Sequence, residues 1–143
     1  MNYAAERIES IKAGFTGAIT AALVSGVTTS LIASIQTEWD NTGSDAGFTP
    51  VFQISVAGFS GFLFAVTYRY IVRDDHNSHL SSGAVMAFAL VRGLAQVEAT
   101  LMNDPYWLSG LKILESFLIF AIVALLLNYS IRQGWLKQFD HFS

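Results

Sequence analysis

The chain has no cysteine, which excludes disulfides, thiol catalysis and thiolate metal sites. Charge is also scarce: Asp, Glu, Lys and Arg make up 13% of the residues, and the net charge is -3. The eight Lys and Arg are scattered along the chain, so there is no basic patch of the kind that binds nucleic acid. Enzyme signatures are missing too. No glycine-rich phosphate loop follows a strand, and there is no nucleophile elbow, no HExxH and no acidic cluster suited to a divalent metal. The GFSG at 58–61 lies inside an apolar run, where close packing explains it better than a phosphate site does. A non-enzymatic protein is the expectation.

What the chain does have is apolar length. At 52% hydrophobic residues and a mean hydropathy of +0.45, it belongs with membrane proteins before any motif is considered. Crossing a hydrocarbon core of about 30 Å at 1.5 Å per residue takes roughly 20 helical residues. Four runs meet that length, giving an all-α membrane fold of four transmembrane helices in one domain. Two antiparallel hairpins are expected, the first over about 11–73 and the second over about 80–132, with a polar interfacial tail at 133–143. The amino-terminal MNYAAERIESIK precedes an apolar run too long for a signal-peptide core, so the first span, 11–36, is read as retained. The two prolines reinforce the division. Thr49 before Pro50 and Asp104 before Pro105 each read as an N-cap followed by proline at the first helical position. The loop TEWDNTGSDAGFT at 37–49 is polar and carries acids but no base.

Orientation follows from the bases. Arg7, Lys12, Arg69, Arg73, Arg132 and Lys137 fall on one side of a four-span topology, while the opposite loops hold only acids and neutral residues. Both termini are therefore expected on the cytoplasmic side, or the stromal side in a photosynthetic membrane. Tyr68, Tyr70, Tyr106, Trp107, Tyr129 and Trp135 stand near span ends, where aromatic rings anchor at the interface.

Small residues recur along the first span in two adjacent rows. One is Gly14, Ala18, Ala22, Gly26, Ser30 and Ser34; the other is Ala13, Gly17, Ala21, Ser25, Thr29 and Ala33. In the second span Ala57, Gly61 and Ala65 repeat the spacing, with Gly58 alongside; the third span has Gly93. Smooth ridges let helices approach closely in lipid. Gly14, Gly17, Gly26, Gly58, Gly61 and Gly93 are the helix-packing candidates, read as an intramolecular pair in preference to a face for another protein.

The two halves also align in part. ALVSGV at 22–27 matches ALVRGL at 89–94, and AVTYRYIVR at 65–73 matches ALLLNYSIR at 124–132. A tandem repeat of parallel hairpins is one reading; chance similarity between biased sequences is the other. In this register Arg92 replaces Ser25 and Glu115 replaces Val56, so intramembrane charge is confined to the second half.

Arg92 is the residue that most needs explaining. An ionisable group in hydrocarbon costs roughly 3 kcal/mol on insertion scales and is normally paired, turned inward or hydrated. Glu115 on the next, antiparallel span is the expected bidentate partner. Gln96 lies one turn from Arg92, Lys112 shares a helix face with Glu115, and Glu98 points elsewhere, to the surface or a partner. The competing readings are a buried ion pair that sets register and a polar path or partner contact. His76 and His79 are three apart in a short turn and form a weak metal or pigment-ligand pair; two loop histidines is the simpler account.

The stretch YRYIVRDDHNSHLSSGAVMAFALVRGLAQVE at 68–98, roughly a quarter of the chain, resembles a block in small uncharacterised four-span membrane proteins of cyanobacteria and chloroplasts. The resemblance implies a thylakoid or related membrane and an accessory or assembly role beside a photosynthetic complex. It brings no catalytic motif. The paired Glu and Asn or His with Arg signature of light-harvesting helices is missing, which puts chlorophyll binding in doubt, and the cofactor is left as unknown, with lipid or pigment open. The functional expectation is an integral membrane protein of a thylakoid or bacterial inner membrane, an accessory subunit or assembly factor whose partners are lipid and other membrane subunits. The alternative is a small oligomeric transporter or channel using Arg92 and Glu115.

Overall fold

A computed structural model describes residues 3–37, 48–72, 78–100 and 105–136. They form four α-helices: α1 (Tyr3–Thr37), α2 (Phe48–Ile71), α3 (Ser78–Thr100) and α4 (Tyr106–Arg132). Each holds a segment long and apolar enough to cross a membrane, the make-up of an integral membrane protein. Large apolar side chains such as Leu23, Phe59, Val91 and Leu125 are more than 60% exposed, which in water would be a liability but suits contact with acyl chains.

α1 lies against α2. Gly14 faces Phe62, Gly17 faces Gly61 and Ala65, Gly58 lies by Ala18 and Ala22, and Gly26 faces Ile54. Rising numbers on α1 meet falling numbers on α2, so the pair is antiparallel. A Cβ added to Gly17 or Gly61 would come under 3.0 Å from the opposite backbone, so this contact admits hydrogen and nothing larger. Of the two small rows on α1, Ala13, Gly17, Ala21 and Ser25 of one and Gly14 of the other are buried, whereas the far ends of both, at Ala33, Ser30 and Ser34, are exposed. In the second pair Gly93 of α3 abuts Ile113 of α4. Gly26 with Ile54 and Gly93 with Ile113 are the positions that the internal alignment places in register.

α4 touches each of the other three helices, while α2 and α3 meet sparsely. Where they do meet, Phe64, Phe88 and Phe120 from α2, α3 and α4 cluster with ring centroids 5.1–5.8 Å apart, close enough for favourable edge-to-face contact. Phe64 and Phe120 are fully buried. The short link between α2 and α3 therefore does not produce the closest helix pair; the glycine contacts do.

The helix ends differ from the sequence expectation. α1 starts at Tyr3, not at 11, because Arg69 anchors its polar first turns: the guanidinium donates to the Glu6 carbonyl (3.0 Å) and to Ser10 Oγ, and lies 3.4 Å from Glu6 Oε2. Hydropathy stops counting where polar residues begin, although such residues are good helix formers. α2 begins at Phe48, so Pro50 sits within the first turn and not at its first position; its missing N–H is harmless there because the first N–H groups have no intrahelical acceptor. Pro105 is itself the N-cap of α4, in extended geometry (φ -66, ψ 149) with no side-chain cap bond, so the first helical residue is Tyr106. Asp104, Arg73, His76 and Lys137 lie outside the described residues.

Gly134, at φ 75, turns the chain after Gln133, with Gly134 N donating to Ile131 O (3.1 Å) and Trp135 N to Ser130 O (3.1 Å), a Schellman cap. The turn returns Leu136, 5% exposed, to the space lined by Ala13, Tyr68, Leu127 and Ile131. The start of the segment after α4 thus packs against the helices.

Replacing Gly61 by Leu is expected to cost about 1–3 kcal/mol by overpacking. Gly110→Ala, where an added Cβ meets nothing within 4 Å, should be neutral or stabilising by up to ~1 kcal/mol. Unfolding of the purified protein by titration with dodecyl sulfate reads both, and equal effects would contradict the close α1–α2 approach.

Candidate functional site

The Gly93–Ile113 contact brings α3 and α4 close enough for short polar side chains to meet across it. Ser116 of α4, fully buried, stands at the centre. Its Oγ accepts from Arg92 Nη1 (3.1 Å) and lies 3.2 Å from both Gln96 Oε1 and the Lys112 carbonyl; one hydroxyl proton serves those two acceptors. Farther along, Lys112 Nζ donates to Thr100 Oγ1 (3.0 Å). Arg92 and Gln96 are one turn apart on α3, as are Lys112 and Ser116 on α4, so two helical repeats face each other.

Arg92 and Glu115 do not form the expected ion pair. Glu115 is buried at 5% exposure and turns to α1, where Thr28 Oγ1 lies 2.9 Å from its Oε1. Thr28 Oγ1 is also 2.9 Å from the Val24 carbonyl, so its single proton is contested. The reason is rotation: Glu115 and Ser116 are consecutive and point roughly 100° apart around the helix. With Ser116 facing α3, Glu115 faces α1. Glu98 is exposed. His79 stands at the start of α3, its carbonyl accepting from Ser82 Oγ (3.1 Å), and no cluster of three or more His, Asp or Glu suited to a metal occurs among the described residues.

Arg92, Gln96, Thr100 and Lys112 also edge a groove of about 570 Å³ between α2, α3 and α4, with Gln53 and Ser60 on the α2 side. Its floor includes Phe88 and Phe120. The cluster therefore has two faces, one locked into α1 through Glu115 and one open to the groove through Arg92.

Sequence reasoning selected the ionisable members and overlooked Thr28, Thr100 and Ser116, which satisfy them, as well as the Arg69–Ser10 contact. A signal existed. Ser116 is a lone hydroxyl between Glu115 and a run of Phe, Leu and Ile, where a polar side chain needs a partner. No family model, curated protein or solved structure matches the chain.

Because Glu115 meets Thr28, a double-mutant cycle of Thr28→Val and Glu115→Leu should give a coupling of about 0.5–2 kcal/mol in micellar unfolding, the range for interhelical hydrogen bonds in membranes. Additive effects would separate the two side chains.

Proposed function

We propose that the chain is a non-enzymatic subunit or assembly factor of a larger membrane complex. The observation that carries this reading is the use of its intramembrane charge: Glu115 is bonded to Thr28 and Arg92 to Ser116, tying α1, α3 and α4 together. Charged groups that bond between helices suit a scaffold better than a conducting path. The resemblance of 68–98 adds a thylakoid or related photosynthetic setting, with a bacterial inner membrane as the other location.

In this reading the helices form two antiparallel hairpins, α1 with α2 and α3 with α4, related as a tandem repeat. The equivalent contacts Gly26–Ile54 and Gly93–Ile113 support it. Both termini face the cytoplasm or stroma, as the basic residues at that end of the spans favour.

Transport is the second reading, favoured by the groove that Arg92 enters. It would have to proceed without Glu115, which faces α1 and does not line that groove.

Two measurements test these proposals. Gentle extraction and native electrophoresis should place the chain in a larger assembly, with defined partners identified by mass spectrometry; migration solely as a free monomer would remove the subunit reading, and reconstituted flux abolished by Arg92→Ala would favour transport. For topology, the absence of native cysteine makes single substitutions informative. Ser143→Cys should react with an impermeant maleimide from the cytoplasmic or stromal side and Ser44→Cys from the other; the reverse pattern would invert the orientation.

A further inference from the structure

The groove joins an apolar wall to an incompletely used guanidinium. Arg92 is 8% exposed and makes a single hydrogen bond, from Nη1 to Ser116, while its buried Nε has no partner. Donors left unfilled away from water are costly, and the cost is greatest in hydrocarbon. Arg92 lines the groove, and among the described residues no carboxylate does. The charge at its edge is therefore that of a site for an anion.

Size and depth narrow the chemistry. A volume of about 570 Å³ lies inside the range of about 300–1,000 Å³ typical of small-molecule sites. Val56 and Leu63 of α2 flank one side and Val91 of α3 the other; these three side chains are 40–71% exposed, so the groove opens sideways toward acyl chains. Arg92 lies roughly two turns inside the end of α3, deeper than the phosphate of a bilayer lipid, which stays in the interfacial region. A single chain with a compact anionic head can reach that depth.

We propose that this groove binds one long-chain carboxylic acid taken from the bilayer. The carboxylate accepts from the donors that Arg92 does not spend on Ser116, and the chain lies along Val56, Leu63 and Val91. Binding is an ion pair of the kind a guanidinium fork forms with a planar carboxylate, and Ser116 holds the fork in place. The inference is independent of the assembly role, since a free monomer could carry the same site.

The test uses the full chain in phosphatidylcholine vesicles with a palmitic acid bearing a diazirine in its chain, followed by mass-spectrometric mapping of the adducts. Labelling is expected on groove residues such as Val56 and Val91, and palmitate should compete at least tenfold better than methyl palmitate. Arg92→Gln should lower labelling at least tenfold. Val91→Trp, which narrows the groove and leaves every charge in place, should do the same, whereas Leu125→Trp on the outer face of α4 should have no effect. If Arg92→Gln does not fold, Val91→Trp and the acid-against-ester comparison decide the matter. Adducts spread over outward positions such as Leu23 and Leu125, equal competition by the ester, or unchanged labelling in Val91→Trp would each overturn the proposal.

Discussion

Placing Arg92 within α3 imposes a constraint that much of the second half of the chain answers. A guanidinium inside a span needs a hydrogen-bonding partner and counter-charge, or the helix is disfavoured by several kcal/mol. Ser116 supplies the hydrogen bond, while Glu115, one residue earlier on α4, is turned to Thr28 of α1. That bond from Arg92 to Ser116 needs α3 and α4 to approach closely, and Gly93 favours it: an added Cβ would lie 3.1 Å from Ile113 Cα, tighter than ordinary contact. The glycine contact therefore supports the polar cluster.

The two helix pairs solve the same problem by different means. In lipid there is no hydrophobic force to draw helices together, so contact must come from shape or from polar bonds. α1 and α2 use shape, with Gly17 and Gly61 bringing the backbones together. α3 and α4 add polar bonds through Arg92, Gln96 and Lys112 to their one glycine contact. α4 then links the pairs, reaching α1 through Glu115 and α2 through Phe120. Because α3 is held chiefly by α4, space is left beside α2, and the groove occupies it.

Arg69 supplies a third device, at the end of the bundle where the basic residues gather. It follows the apolar run of α2, yet its side chain is 2% exposed and engages Glu6 and Ser10. Its length and hydrogen-bonding fork let it reach across and pin α1 to α2. Leu136, returned by the turn at Gly134, closes the same end from α4.

The helix number, their approximate limits and the small-residue faces were legible in the sequence because hydropathy and fourth-residue spacing are properties of a single helix. Arg92, Gln96, Lys112 and Glu115 were legible as residues that a span does not carry without cause. Their partners were not. Whether Glu115 or Ser116 faces α3 depends on a rotation of about 100° that no local pattern encodes, and it is set by where Gly93 lets Ile113 come to rest. The groove was equally hidden, since a space between α2 and α3 is a property of how three helices splay and not of any one of them. The sequence by itself determined that charge would lie inside the spans; only the tertiary structure decided what that charge would touch, because direction around a helix is settled by packing between helices.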